Sequence, residues 1–139
     1  MLTIEKAMIL NDVDLFSGLP GELLSDMAAM AREMEVPAGR TVTAKGELSS
    51  AMYVVTSGKV NIHDGEKMIR ELAERRSFGT RCALDPRVRS SSATAAEDSL
   101  LLKIDHEVLF EFIAESPALA KRIIGTLCRR IGNDSSFPE

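Results

Sequence analysis

The sequence predicts a mainly β domain with flanking helices. Short runs of β-forming residues occupy the middle of the chain and are separated by glycine-containing turns. Before and after this region, apolar residues recur at the three- and four-residue spacing of amphipathic helices. With 139 residues, 45% of them hydrophobic and 27% charged, the chain can build one core without disulfides or metals. The strand pattern is typical of a sandwich, a barrel or a jelly roll.

Residues 1–34 form the predicted N-terminal helical segment. Residues 3–10 can form a short helix, and a turn follows that ends at Pro20, which suits the first position of a helix. The second helix is predicted to run to about Arg32. Three methionines at helical spacing are interpreted as core filler rather than as a binding face: Met27, Met30 and Met34.

Residues 35–104 form the predicted β region. Its strands are expected at residues 41–43, 51–57, 59–63, 67–73, 91–96 and 99–104. In the second of these strands, Met52 and Val54 should face one side, and Tyr53 and Val55 the other. The Asp64-Gly65 pair predicts a hairpin turn of type I′, in which both central residues have positive φ.

Residues 105–131 form two predicted C-terminal helices, and residues 132–139 form a tail. Asp105 is the expected N-cap of the first helix, residues 106–115. Ser116-Pro117 is a second start signal, and the last helix should end before Gly132. The last helix has an apolar stripe formed by Leu119, Ile123, Ile124, Leu127 and Ile131. Packing of this stripe against the β region is slightly favoured over a role as a dimer interface.

Composition and motifs exclude several classes of function. The net charge of −4 does not favour nucleic acid or an anionic membrane, and no apolar run approaches the roughly 20 residues of a membrane span. Cys82 and Cys128 match no metal or redox spacing, so we interpret the chain as a reduced, cytoplasmic protein. His63 has no nucleophile motif near it, and His106 is expected to be exposed. We therefore predict no enzyme, no catalytic residue and no metal site.

Residues 78–95 combine features that suit an anion. Residues 80–84 can form a short helix, which Asp85-Pro86 ends, and Arg89 follows among several hydroxyl-bearing residues. Such a segment can place backbone N–H groups beside an arginine fork, which is the combination that binds phosphate.

The same residues resemble the phosphate-binding cassette of cyclic-nucleotide-binding domains of the catabolite-activator type. Phe78-Gly79, Arg89-Ser90 and Leu84-Asp85-Pro86 match that cassette. Further family-like motifs are Leu-Phe-x-Gly-Leu-Pro at residues 15–20, Pro-Ala-Gly at 37–39, Lys-Gly-Glu at 45–47 and Tyr-Val-Val-x-Ser-Gly at 53–58. The resemblance covers residues 15–131. It implies a double-stranded β-helix (jelly roll) with N-terminal helices and two C-terminal helices, as one domain over residues 1–139.

The resemblance also implies the site. Arg89 would hold the ring phosphate of a cyclic nucleotide, together with backbone amides around residues 82–84. The candidate ligand-binding residues are Gly79, Thr80, Arg81, Cys82, Ala83, Arg89, Ser90 and Ser91. The last helix would cover the base, and it has no aromatic residue before Phe137, so its contact should be aliphatic.

Four positions depart from the family pattern. Thr80 replaces the glutamate that holds the ribose 2′-hydroxyl, Ser91 replaces an alanine, Arg81 replaces an apolar residue and Arg75 replaces a glycine. Losing a charged hydrogen bond costs about 1.5–3 kcal/mol, so the affinity for cAMP or cGMP should be weak.

Each candidate also has an interpretation without ligand. Arg89 can be a loop arginine paired with Asp85 or Glu97, and Thr80 is more readily a helix cap than a ribose contact. Ser90 and Ser91 can bond their own backbone, and Cys82 fills core space. The remaining arginines are interpreted as solvated surface.

Two hypotheses for function follow. In the first, the domain is a regulatory module that senses a cyclic nucleotide or related small anion. It would signal through its terminal helices to a separate protein partner or by self-association, since no output module follows the last helix, and it would not bind DNA directly. In the second, the same fold has lost nucleotide binding and acts as an interaction or dimerisation scaffold, with the C-terminal helix as the homodimer surface.

Overall fold

A computed structural model describes residues 1–132 of the chain. The helices are α1 (Thr3–Asn11), α2 (Gly21–Met30), α3 (Thr80–Leu84), α4 (His106–Glu115) and α5 (Pro117–Gly132). The strands are β1 (Arg32–Val36), β2 (Thr41–Thr43), β3 (Leu48–Ser49), β4 (Ala51–Ser57), β5 (Val60–Asp64), β6 (Lys67–Leu72), β7 (Ser77–Phe78), β8 (Arg87–Val88), β9 (Ser92–Ala95) and β10 (Ser99–Asp105).

The strands form two antiparallel sheets that face each other. One sheet has the order β1-β10-β4-β7 and the other the order β2-β9-β5-β6, and a two-stranded ribbon joins β3 to β8. Neighbours in each sheet are mostly distant in sequence, as in a jelly roll. The predicted fold class, a jelly roll with helices at both ends, is confirmed.

The central strand β4 is buried on both of its faces. Met52 and Val54 belong to a core beneath the helices, whereas Tyr53 and Val55 belong to the core between the two sheets. This division confirms the predicted alternation along the strand. It follows from the strand period of two, since successive side chains point to opposite faces.

The predicted extent of α2 is wrong. The helix ends at Met30, and Ala31 is already extended with a ψ of 131°. The next five residues pair with β10 in an antiparallel ladder, in which Met34 lies opposite Leu101. Tertiary pairing therefore overrides the helical spacing of the methionines. Of the three, Met27 is core as predicted, Met34 is half-buried in the strand, and Met30 is 49% exposed.

The predicted turn between β5 and β6 also needs correction. Asp64 is the last residue of β5 and pairs with Lys67, so the central residues of the turn are Gly65 and Glu66. Gly65 has a φ of 59°, and Glu66 is not among the residues with positive φ. The glycine is required at the first central position alone, which excludes a type I′ turn.

The C-terminal helices begin where they were predicted. The Ser116 hydroxyl accepts a hydrogen bond from the Leu119 amide at 3.2 Å, as an N-cap does. Asp105 occupies the N-cap position of α4, but its carboxylate pairs with Arg32 at 2.7 Å instead of capping. Within the apolar stripe of α5, Leu119 and Ile123 are buried against the rest of the domain, Leu127 is half-buried, and Ile124 and Ile131 are exposed. The predicted tail after Gly132 lies outside the described residues.

Candidate functional site

The short helix α3 begins directly after a glycine that no other residue can easily replace. Gly79 has a φ of 82°, and a Cβ added there would lie 2.6 Å from the Ala51 carbonyl oxygen and 2.9 Å from Nη1 of Arg89. Glycine is the residue that tolerates both the left-handed backbone and the close approach. The backbone at Gly79 thus leaves room for the Arg89 side chain.

Arg89 is buried, with 8% of its surface exposed. Its Nη1 donates to Sγ of Cys82 at 3.7 Å, and its guanidinium carbon lies 5.7 Å from the centre of the Phe78 ring. The predicted alternative, an ion pair with Asp85 or Glu97, is absent over residues 1–132. A buried charge without a carboxylate partner is costly, so the site favours an added anion.

The backbone of Arg89 is fixed by the turn that follows β2. The Gly46 amide donates to the Arg89 carbonyl at 2.9 Å, and the Arg89 amide donates to the Glu47 carbonyl at 2.8 Å. The Lys-Gly-Glu motif, read from the sequence as a turn, therefore positions the arginine. Both main-chain groups of Arg89 are satisfied, which leaves its side chain as the group available to a ligand.

Beside Arg89 lies a cavity of about 510 Å³, a size usual for small-molecule sites. All predicted ligand-binding residues except Ala83 line it: Gly79, Thr80, Arg81, Cys82, Arg89, Ser90 and Ser91. The structure thus brings together residues from α3 and from the segment after β8. A cavity with polar groups from two converging segments can bind a small anion.

Two residues of α3 are placed differently from the sequence expectations. Ala83 is fully buried in the core beneath the helices and does not line the cavity, because it lies on the opposite face of α3. Thr80 does not cap α3: Gly79 occupies the N-cap position, and no side-chain capping hydrogen bond forms. Thr80 is instead a buried residue of the cavity wall, at the position where the family pattern has a glutamate.

The cavity is also lined by residues that were not among the predicted ligand-binding residues: Ile62, Arg70, Ser77, Phe78, Arg87, Val88 and Arg130. Three of these are arginines that composition alone assigns to solvated surface. Arg130 is the described residue of α5 that lines the cavity, so this helix contributes an arginine there rather than the expected aliphatic cover. Phe137, named as the nearest aromatic, lies outside the described residues.

Two further residues connect the site to the surrounding structure. Tyr53 stacks on Phe78 with ring centres 5.0 Å apart. Burial raises the pKa of the Tyr53 hydroxyl, and the positive charge of Arg89 opposes that rise. His106 was expected to be exposed but is half-buried, and it bonds the Ala83 carbonyl of α3. The described part of the chain holds no cluster of three His, Cys, Asp or Glu side chains suited to a metal.

The fold and this cavity define a small ligand-binding module of the jelly-roll class. The family model of the cyclic nucleotide-binding domain matches residues 33–116, and the chain belongs to this family. It is a family of regulatory domains rather than of enzymes.

Known regulators share this architecture. The chain is 29% identical over 128 residues to the CRP-like cAMP-activated global transcriptional regulator of Mycobacterium tuberculosis, covering 88% of this chain and 57% of that protein. It is 33% identical over 122 residues to the cyclic AMP receptor protein of Thermus thermophilus, covering 84% and 56%. The N-terminal domain of a transcriptional regulator from Streptomyces coelicolor A3(2) superposes with a TM-score of 0.84 at 26% identity, covering 92% of each chain.

The chain spans somewhat more than half the length of these two curated relatives, so it corresponds to one part of each. In residues 1–132 no helix is long and apolar enough to cross a membrane.

Proposed function

We propose that this domain is a sensor that binds a cyclic nucleotide or a related phosphate-bearing anion in the cavity beside Arg89. The observation that carries the proposal is the state of the Arg89 side chain, which is charged, buried and without a carboxylate partner in the described structure. Two relatives whose names specify cAMP, and which share this fold, support the same ligand class. Ligand binding would re-set α4 and α5, which would pass the signal to a separate protein partner.

The affinity for cAMP and cGMP is expected to be weak. Thr80 is shorter than glutamate and uncharged, so the ribose 2′-hydroxyl loses its strong acceptor. At about 1.5–3 kcal/mol for a charged hydrogen bond, the loss amounts to roughly ten- to a hundredfold or more in affinity. The phosphate contact with Arg89 is unaffected by this exchange.

The test is calorimetric titration of the purified protein with cAMP and with cGMP, beside the variants Arg89→Ala and Arg40→Ala. Arg40 is an exposed arginine that lines a different cavity, so its variant controls for the loss of one positive charge. We expect weak binding that Arg89→Ala abolishes and Arg40→Ala leaves intact. Absence of binding at millimolar concentrations of both nucleotides, with circular dichroism showing a folded protein, would rule out the sensor function for them.

A second candidate function is a scaffold that associates through its C-terminal helices. Apolar side chains remain exposed there, with Ile124 61% exposed and Phe110 and Ile131 about two-fifths exposed. An exposed apolar face on adjacent helices favours contact with a second copy or another protein. Sedimentation analysis of the protein and of Ile124→Ser tests this function: a dimer that the substitution dissociates would support it, and a monomer at all concentrations would exclude self-association.

A further inference from the structure

The cavity concentrates positive charge in a protein that is acidic as a whole. Five of its lining residues are arginines, namely Arg70, Arg81, Arg87, Arg89 and Arg130, and none of the described lining residues is an aspartate or glutamate. The chain has a net charge of −4 and 17 lysines and arginines in total. Gathering five of them around one cavity raises the local potential and attracts anions.

These five arginines also lack carboxylate partners within the described structure. None of their guanidinium groups forms an ion pair with a carboxylate over residues 1–132. Of the arginines outside the cavity, Arg32 pairs with Asp105 at 2.7 Å and Arg75 pairs with Asp12 at 3.0 Å, and the others form no ion pair over residues 1–132. What distinguishes the cavity is therefore that five arginines without a carboxylate partner lie around one space.

The arginines differ in depth. Arg89 is buried beside Gly79 and is suited to one phosphate held in a partly dry environment. The other four are exposed and come from β6, α3, β8 and α5, so they approach the cavity from four separate elements. A ligand with a single phosphate would bind Arg89 and leave the positive charges of the four exposed arginines, at the rim of the cavity, uncompensated. A second phosphate would relieve that repulsion.

Among residues 1–132, no acidic side chain lines the cavity to repel a second phosphate. At the position where the family pattern has a glutamate, the buried residue is Thr80, which carries no charge. The exchange weakens binding of a ribose 2′-hydroxyl and at the same time removes the negative charge that a more anionic ligand would meet. Both effects favour a ligand that relies on phosphate rather than on ribose contacts.

We propose that the cavity selects nucleotides carrying at least two phosphate groups over the singly charged cyclic mononucleotides. This inference rests on the proposed function and specifies its ligand class. A linear nucleoside diphosphate and a cyclic dinucleotide share the required chemistry. Arg89 takes one phosphate, and the rim arginines, Arg70 and Arg130 among them, contact the second.

The experiment is calorimetric titration of the whole protein at physiological ionic strength with four probes: cAMP, ADP, cyclic di-AMP and inorganic pyrophosphate. We expect ADP or cyclic di-AMP to bind at least about tenfold more tightly than cAMP, since the added charged contacts of a second phosphate are of that order. The ratio of the dissociation constants of ADP and cyclic di-AMP shows whether the cavity prefers a linear or a cyclic nucleotide. Pyrophosphate measures how much of the affinity the phosphates supply without a base.

The matched variants are the double substitution Arg70→Gln/Arg130→Gln and the single substitution Arg40→Gln. The double variant should weaken the two-phosphate ligands by roughly tenfold or more and cAMP by a clearly smaller factor, because it removes rim charges and keeps Arg89. Arg40→Gln should change neither affinity. Both variants alter exposed side chains, so they are expected to fold.

The failures of the two proposals are distinguishable. If cAMP binds as tightly as the two-phosphate ligands and Arg89→Ala abolishes its binding, the ligand class proposed here is overturned while the sensor function stands. If the double variant keeps the full preference for two phosphates, the role of Arg70 and Arg130 is overturned. If none of the probes binds the folded protein, both proposals are overturned.

Discussion

Nδ1 of His106, at the start of α4, donates a hydrogen bond of 2.6 Å to the carbonyl oxygen of Ala83 in α3. The last carbonyls of a helix have no partner within it, so His106 satisfies a group that α3 leaves unbonded in the core. The imidazole also lies against the Phe110 ring, with ring centres 4.5 Å apart. One side chain thus connects the wall of the cavity to the first C-terminal helix.

Replacing His106 by alanine should destabilise the domain by about 1–3 kcal/mol, because the Ala83 carbonyl is left buried without a donor. Urea unfolding of the wild type and the variant measures the difference. His106→Asn is the matched control, since its side-chain amide can place an N–H group near the position of Nδ1. Equal stability of the alanine variant and the wild type would contradict the structural role of this hydrogen bond.

Gly79→Ala should impair binding as well as stability. The new methyl group would meet the Ala51 carbonyl and the Arg89 guanidinium in a backbone conformation that alanine rarely adopts. We expect a loss of about 1–3 kcal/mol in stability, together with displacement of Arg89 and loss of anion binding. Thermal unfolding and calorimetric titration give the two quantities.

Gly18→Ala is the control for that variant. Gly18 has a φ of 80°, close to that of Gly79, but an added Cβ would have no atom within 4 Å. Gly18→Ala should lose stability because alanine is strained in the left-handed backbone conformation, as in Gly79→Ala, but it should leave anion binding unchanged. If both variants bind anions equally well, the close approach at Gly79 is not what positions Arg89.

Arg75→Gly should stabilise the domain. Arg75 has a φ of 69° and is the one non-glycine residue with positive φ over residues 1–132. Relief of the left-handed conformation is worth about 1–2 kcal/mol. The added flexibility of the unfolded chain offsets about 0.5–1 kcal/mol of it. The exposed ion pair with Asp12 contributes about 0–1 kcal/mol. We expect a small net gain of about 0.3 kcal/mol in urea unfolding, from the middle of these three ranges. Asp12→Asn removes the ion pair alone and should not stabilise.

Stability should fall at alkaline pH because of Tyr53. Burial raises the pKa of its hydroxyl above the ordinary value of 10.0, so the folded state holds this proton more tightly than the unfolded state does. The stability that Tyr53 contributes by holding this proton is fully present below pH 10, and it is lost as the pH rises through the pKa of the folded state. The decline from this cause should be absent in Tyr53→Phe.

The same residue can be titrated directly. The chain contains one tyrosine and no tryptophan, so the ultraviolet absorbance of tyrosinate reports Tyr53 alone. A midpoint above the ordinary value is expected in the folded protein and a normal midpoint in urea. A folded-state midpoint at or below the ordinary value would contradict the effect of burial.

Local signals in the sequence predicted much of the fold and part of the site. The bounds of α3 follow from a glycine at its start and Asp85-Pro86 at its end. These signals act on the backbone within a few residues, so they can be recognised in the sequence. The end of α2 did not follow, because it depends on pairing between β1 and β10, some 70 residues apart. Two of the rim arginines were missed for the same reason. Arg70 and Arg130 carry no local mark, and they share a cavity only through the packing of β6 and α5 around it.

The two-sided burial of β4 makes the domain a single cooperative unit. Each face of the strand supports a different core, so loss of the helices would expose Met52 and Val54 and weaken the strand that also carries Tyr53 and Val55. The helices and the roll should therefore melt together in one thermal transition. A partner that binds α4 or α5 would then change the stability of the same folded unit that contains the arginine-lined cavity.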